Sequence, residues 1–138
     1  MAQFGIHGNP KVAAEWREKR IKDDPKFGEA DAAQSNTRGR LSFATSGPDS
    51  RTTQMFINFV DNANLDSMGF TPFAEVVRGM DAVDAIEAKH GESPEQGRIQ
   101  SEGHRYLKTK FPDLSFIRRA EKISWPTGDA ALDARAEL

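Results

Sequence analysis

The chain has 138 residues, of which 37% are hydrophobic and 29% are charged, a composition typical of one soluble domain with its own core. Its 19 Lys and Arg residues are offset by 21 Asp and Glu residues, and the formal net charge of -2 argues against a nucleic-acid partner, which would require a basic face. The absence of cysteine excludes disulfides, thiolate metal sites and cysteine nucleophiles, and no apolar run approaches the roughly 18 residues of a membrane-spanning helix.

The first 40 residues predict little regular structure. Residues 1–6 have the pattern of a short strand, and the polar Gly- and Pro-containing residues after them predict a turn. A short helix is predicted over 11–20, where Val12 and Trp16 lie on one face. Residues 21–40 are rich in Asp, Gly and polar side chains, so they are predicted to form a loop.

The rest of the chain predicts strands followed by helices. Three strands are predicted, at about 41–46, 54–60 and 73–78. Two helices are predicted over 80–88 and 98–108 from the spacing of their apolar residues. Residues 114–123 have a strand-like pattern, and the alanine-rich tail from Trp125 predicts either a short helix capped by Asp129 or disorder.

The most informative segment is LSFATSGPDSRTTQMFIN, residues 41–58. It predicts a strand, a Gly-Pro turn, a polar loop and a second strand. Gln54 and Phe56 lie two apart on that second strand, so their side chains share one face of the sheet. By pattern alone, Phe56 is as typical of a core aromatic as of a site residue, and Gln54 alone is typical of a solvated strand residue.

This segment closely resembles the active-site segment of cyclophilins, the peptidyl-prolyl cis-trans isomerases, whose pattern is L-S-M-A-(N/R)-(A/T)-G-P, a loop, then S-Q-F-F-I. Residues 62–76 resemble the family's N-x-x-L-D-x-x-G-F-x-P-F-G-x-V, and residues 97–117 resemble G-R-I-Q-x-E-G-N-x-Y-L followed by F-P-x-L-D-x-I of bacterial-type members. The resemblance covers roughly residues 1–123 as a partial cyclophilin-like domain and leaves 124–138 as a C-terminal tail. It implies a mainly β fold, an antiparallel β-barrel with flanking helices.

The beginning of the chain resembles the end of a family strand. Met1 to Gly5 match the last residues of F-M-x-Q-x-G, and the family's catalytic arginine lies shortly before that methionine. The resemblance therefore implies an N-terminally truncated domain with reduced turnover. It leaves open a non-catalytic module that binds proline-containing peptides, or an inactive fragment. Residues 1–20 lack the apolar core of a signal peptide, so the expected location is cytoplasmic, or periplasmic if a signal was lost with the N-terminus.

The implied reaction is rotation about an X-Pro bond, whose barrier is about 18–20 kcal/mol because the amide must lose its planarity. No bond is made or broken, so the reaction needs an apolar socket for the proline ring and fixed polar groups around the amide, with no metal or cofactor. The implied substrates are proline-containing peptides and unfolded proteins.

The resemblance also implies a set of site residues. The residues implied to act on the amide are Gln3, Gln54 and Phe56, and those implied to bind the peptide are Met1, Ala44, Thr45, Ser46, Asn64, Leu65 and Phe70. Among them Phe56 is the expected floor of the socket, and Ala44 to Ser46 are expected to receive the extended peptide. Asn64 matches the position at which vertebrate members carry a tryptophan that contacts cyclosporin, which implies weak cyclosporin binding. The three histidines are scattered among polar segments and predict no site.

Overall fold

A computed structural model describes residues 1–26 and 34–124 of the chain. The strands are β1 (Ala2–Phe4), β2 (Arg40–Phe43), β3 (Met55–Ile57) and β4 (Pro72–Glu75). The helices are α1 (Pro10–Arg17), α2 (Met80–Asp84), α3 (Gln96–Glu102) and α4 (His104–Lys110), with a 3-10 helix over Ala63–Met68. The three strands predicted in the middle of the chain are confirmed, but the 3-10 helix falls where no element was predicted.

The four strands form one antiparallel sheet in the order β1-β3-β2-β4. The predicted antiparallel strands with flanking helices are confirmed, but the strands that the structure describes do not close into a barrel. Helices hold more of the described residues than strands do. Four strands are too few for the barrels of about eight tilted strands whose interior side chains just fill. β1 and β4 are the two edges of the open sheet.

The register of the sheet separates two kinds of side chain. Gln3 of β1 and Ser42 of β2 both pair with Phe56 of the strand between them, so these three residues share one face. The opposite face includes Phe43, which stacks on Phe73 with ring centroids 4.5 Å apart, and Phe73 remains 45% exposed. The buried apolar residues among those described are Ala13, Phe56, Pro72 and Tyr106, so the core is small and lies on the Phe56 side and beneath the helices.

The helix predicted over 98–108 is two helices in the structure, because Gly103 breaks it. Gly103 has φ 60° and ψ -141°, a conformation that favours glycine, and the next residue's N–H donates to the carbonyl of Gly8 at 2.9 Å. A Cβ on Gly103 would lie 2.1 Å from that carbonyl oxygen. The break therefore lets the start of α4 close onto the turn that precedes α1, where Asn9 caps the helix by accepting from the N–H of Lys11.

The strand predicted over 114–123 is wrong. The structure shows no regular element there, and Phe116, Ile117 and Ile123 are each 60% exposed or more. A strand requires a neighbour to complete its hydrogen bonds, and none of the four strands pairs with this segment. The prediction for the tail from Trp125, including Asp129, lies outside the described residues.

Candidate active site

The side chains of Gln3, in the edge strand β1, and Gln54, the residue before β3, lie next to each other. The side-chain nitrogen of Gln3 donates a hydrogen bond to the side-chain oxygen of Gln54 at 3.0 Å. The backbone carbonyl of Gln54 also accepts from the N–H of Ala44 at 3.0 Å, which fixes the end of the loop between β2 and β3. Within residues 1–26 and 34–124, Gln3 Oε1 and Gln54 Nε2 have no protein partner, so the pair offers a carbonyl oxygen as acceptor and an NH2 group as donor.

Phe56 lies beneath this pair and is 2% exposed. Its ring meets the edge of Phe70 with centroids 5.8 Å apart and an interplanar angle of 71°. The N–H of Phe70 in turn donates to the carbonyl of Leu65 at 3.3 Å. The rings of Phe56 and Phe70 are thus in contact, and the half-buried Leu65 is joined to Phe70 through the backbone. We call Phe56, Leu65 and Phe70, three of the residues implied by the resemblance, the apolar wall.

The remaining predicted residues lie on the borders of this region. Met1 is 50% exposed and precedes β1, and Asn64 is exposed on the 3-10 helix. Ala44, Thr45 and Ser46 begin the loop of residues 44–50, hereafter the peptide-receiving loop. In that loop the Ser50 hydroxyl accepts from the N–H of Ser46 at 2.9 Å and lies 2.8 Å from the Thr45 hydroxyl, so side chains of the loop itself hold its shape.

Sequence reasoning missed a buried polar network behind the apolar wall. Asn36, fully buried, donates from Nδ2 to Asp66 Oδ1 at 2.7 Å and to the carbonyl of Phe70 at 2.5 Å. Its Oδ1 accepts from the Ser42 hydroxyl at 2.7 Å and from Asn58 Nδ2 at 3.3 Å. The network ties β2 and the end of β3 to the segment that carries Leu65 and Phe70. The polar run at 34–40 gave no signal of burial, since asparagine in such a run is typical of an exposed loop.

Asp66 is the charged member of this network. Burial alone would raise the pKa of Asp66, but hydrogen bonds from the Ser35 hydroxyl and from the Asn36 side chain and backbone outweigh burial, so the pKa lies below its usual value. The carboxylate is therefore ionised at neutral pH and accepts hydrogen bonds from both residues. Its charge stabilises the fold around the apolar wall, since its hydrogen-bond partners are Ser35 and Asn36 of the buried network.

The glutamine pair and the apolar wall supply amide and apolar side chains. Among the described residues, no cluster of three or more His, Asp or Glu side chains could hold a metal ion. The arrangement can hold an apolar ring against Phe70 and Leu65 while two amide groups hydrogen-bond a peptide backbone.

Among the residues that the structure describes, no helix combines the length and apolar character that crossing a bilayer requires.

Comparison with known proteins shows one family match and several similar proteins. Residues 1–104 match the family described as cyclophilin type peptidyl-prolyl cis-trans isomerase/CLD. A peptidyl-prolyl cis-trans isomerase of Acinetobacter baylyi is 48% identical over 63 residues, which cover 42% of this chain and 34% of that protein. Peptidyl-prolyl cis-trans isomerase B of Escherichia coli is 46% identical over 72 residues, covering 46% of this chain and 44% of that protein.

The chain thus spans less than half the length of these curated relatives. The family match nevertheless includes all four strands and every residue of the glutamine pair, the apolar wall and the peptide-receiving loop. The chain belongs to the cyclophilin-type peptidyl-prolyl cis-trans isomerase family.

Proposed function

We propose that the chain binds proline-containing segments of peptides and unfolded proteins at the glutamine pair and the apolar wall, and that it accelerates rotation about the X-Pro bond. One observation carries the proposal. The unpaired acceptor of Gln3 and the unpaired donor of Gln54 lie on the same face as Phe56, next to Phe70. An extended peptide presents an N–H and a C=O that match this pair, and proline presents an apolar ring that matches the wall.

The chemistry follows from how each group would contact the substrate. Phe56 is almost fully buried, so it supports the wall from behind, and the half-buried Leu65 and Phe70 would contact the proline ring. Gln3 Oε1 would accept a hydrogen bond from the peptide backbone and Gln54 Nε2 would donate one to it, which would hold the backbone beside the X-Pro bond while the amide turns. Rate acceleration requires that these contacts be stronger to the twisted amide than to either planar form.

The peptide-receiving loop would hold the substrate chain on the other side of Gln54. The hydrogen bond from Ala44 N–H to the Gln54 carbonyl connects the loop to the strand that carries the amide. Asn64, exposed and polar, would add little apolar contact at the rim, and weak binding of cyclosporin is therefore part of the proposal.

A second candidate is binding without turnover. Every side chain in the glutamine pair and the apolar wall is either an amide or apolar, and none is a cation that could donate to the proline nitrogen as it becomes pyramidal. Such a set can recognise a peptide group and still leave the barrier high. Catalysis and binding are separable because only catalysis speeds exchange between the cis and trans signals of the substrate.

The test uses exchange NMR on a tetrapeptide with a central Ala-Pro bond, mixed with the 138-residue chain. We expect chemical-shift changes at Gln54 and Phe70 and faster cis–trans exchange of the peptide. Gln54→Ala should lower both effects, whereas Gln96→Ala, an exposed glutamine at the start of α3, should leave both unchanged. Shift changes without faster exchange would favour the non-catalytic module. No shift changes at the site would refute both candidates.

A further inference from the structure

Residues 21–24, which the family resemblance does not single out, hydrogen-bond the end of the peptide-receiving loop and the residue that follows it. Residues 21–24 run beside the end of this loop, and the N–H of Ile21 donates to the carbonyl of Arg51 at 3.0 Å. Asp23 and Asp49 exchange two hydrogen bonds, each from a backbone N–H to the other's carboxylate, both at 2.9 Å. The loop is thereby joined at two neighbouring positions to a part of the chain far away in sequence.

Arg51 closes this junction with its side chain. Its Nη1 donates to Asp24 Oδ2 at 2.7 Å, and its Nε lies 3.3 Å from Asp23 Oδ1. The guanidinium carbon also lies 5.3 Å from the centre of the Phe43 ring at the end of β2. We call Asp23, Asp24 and Arg51 the clasp.

Burial of its arginine, but not of its two aspartates, distinguishes the clasp from the ion pair of Arg38 and Asp84 at the surface. The Arg51 side chain is only 8% exposed, whereas the paired Arg38 and Asp84 are each close to half exposed. Its Nε is buried and, among the described residues, has no hydrogen bond of good geometry, so its attraction to Asp23 is mainly electrostatic. A buried guanidinium that loses its carboxylates leaves an uncompensated charge, so opening the clasp is costly.

The position of the clasp determines what opening would affect. Arg51 follows directly on the peptide-receiving loop, and three residues later Gln54 carries the amide of the site. The hydroxyl contacts of Thr45, Ser46 and Ser50 shape the loop but do not attach it to the rest of the molecule. Within the part of the chain that the structure describes, its attachments are the Ala44–Gln54 bond at one end and the clasp with the Asp23–Asp49 bonds at the other.

We infer that Arg51, through Asp23 and Asp24, is a positioning residue that holds the peptide-receiving loop in its binding shape. The inference rests on the proposed function for the role of the loop, although the attachment can be measured without substrate. Arg51 contacts no reacting atom in this account. Its loss should weaken binding of the peptide in the ground state and in the twisted state alike, which raises KM and leaves kcat near its original value.

Hydrogen–deuterium exchange of the whole chain, read over residues 44–50, tests the attachment. Arg51→Gln should speed exchange there by about tenfold or more, the scale of losing a hydrogen bond between charged groups, with no matching change in α3 and α4. Arg51→Lys keeps the charge but cannot reach both carboxylates as a planar fork does, so it should give a smaller effect. Arg38→Gln, which breaks a forked pair with Asp84 elsewhere, is the matched control and should leave 44–50 unchanged.

Asp24→Asn is the second variant, because it removes one half-exposed partner and leaves buried Arg51 in place if Arg51→Gln fails to fold. Unchanged exchange over 44–50 in both Arg51→Gln and Asp24→Asn would overturn the inference, and so would an equal rise across the whole chain. Peptide titrations of the same variants then report KM and kcat separately. If the original chain binds no proline peptide, the proposed function fails, while the exchange data still decide whether the clasp holds the loop.

Discussion

The side-chain nitrogen of Asn36 donates to the backbone carbonyl of Phe70 at 2.5 Å, from a residue with no exposed surface. The same side chain accepts from Ser42 of β2, so a single amide holds the apolar wall against the sheet. The shape of the socket therefore depends on a polar residue that would not contact the substrate.

Replacing Asn36 should be among the most destabilising single changes in this chain. Asn36→Ala leaves the Ser42 hydroxyl and the Phe70 carbonyl without this partner and removes the side-chain hydrogen bond to Asp66, so we expect a loss of about 3 kcal/mol or more in the free energy of unfolding. Asn64→Ala, at an exposed asparagine of the 3-10 helix, is the matched control and should change it by less than about 0.5 kcal/mol. Urea unfolding of both variants measures the difference, and equal midpoints would contradict the role given to Asn36.

Lowering the pH should destabilise the buried network around Asn36, because it protonates Asp66. The pKa of Asp66 in the folded chain is lower than in the unfolded chain, so the folded state favours the ionised form. Its contribution is thus complete well above the ordinary aspartate pKa of about 3.9 and is lost as the pH falls through the folded value. Stability measured from pH 7 to pH 2 should decline at the acid end, and Asp66→Asn should flatten that decline while lowering stability at pH 7.

Asp84→Asn is the control for that experiment. A hydrogen bond from Arg38 lowers the pKa of Asp84 as well, but both side chains are close to half exposed and screened by solvent. The acid limb of its stability curve should follow that of the original chain. If Asp84→Asn flattened the limb and Asp66→Asn did not, the buried network would not be the acid-sensitive element.

Alanine substitutions at two glycines should distinguish the effect of backbone strain on stability from that of helix propensity. Gly103→Ala places a Cβ 2.1 Å from the Gly8 carbonyl at a residue with φ 60°, and we expect destabilisation of about 1–3 kcal/mol or more. Gly97→Ala lies in α3, where a Cβ meets nothing within 4 Å, and it should be neutral or stabilising by up to about 1 kcal/mol. Thermal melts of the pair decide, and a stabilised Gly103→Ala would mean that α3 and α4 can join as one helix.

The glutamine pair should act as a unit in peptide binding. We expect Gln3→Ala and Gln54→Ala each to weaken affinity for the Ala-Pro peptide about three- to tenfold, the range for a neutral hydrogen bond. The double variant should lose less than the product of the two effects, because each single variant already releases the other side chain. Calorimetric titration of the four forms measures this coupling, and strictly multiplicative losses would show that the two side chains act independently.

The exposed aromatic face should promote self-association. Phe73 stacks on Phe43 yet is 45% exposed, and the edges β1 and β4 are both open among the described strands. We expect sedimentation velocity to show concentration-dependent oligomers, and Phe73→Thr should reduce them while keeping a β-compatible side chain. A single monomeric species for the unmodified chain at all concentrations would contradict this expectation.

The sequence predicted those features of the fold and site that depend on local pattern. Alternation placed Gln54 and Phe56 on one face, and the confirmed β1, β2, β3 and β4 follow from the same rule. Features set by distant partners were not predictable from pattern. The break at Gly103 depends on a carbonyl almost a hundred residues earlier, and the burial of Asn36 depends on Asp66 and Phe70.

The apolar pattern at 114–123 misled for the same reason. Alternating residues there fit a strand, but a strand exists only where a neighbour supplies the other half of its hydrogen bonds. The described strands form the predicted antiparallel sheet but do not close into a barrel, since the family pattern specifies which residues match and not whether the strands present here close. The clasp could not be predicted from sequence either, because Asp23 and Asp24 are typical loop residues and their pairing with Arg51 depends on the fold.

The order β1-β3-β2-β4 has a kinetic consequence. Gln3 and Gln54 are 51 residues apart, whereas β2 and β3 are joined by one short connection. Since closing a long loop is slower and entropically more costly than forming a hairpin, β2 and β3 should pair before β1 arrives. The hairpin would present Phe56 and Gln54 first, and docking of the three-residue edge strand would complete the site as a late, separately reversible step of folding.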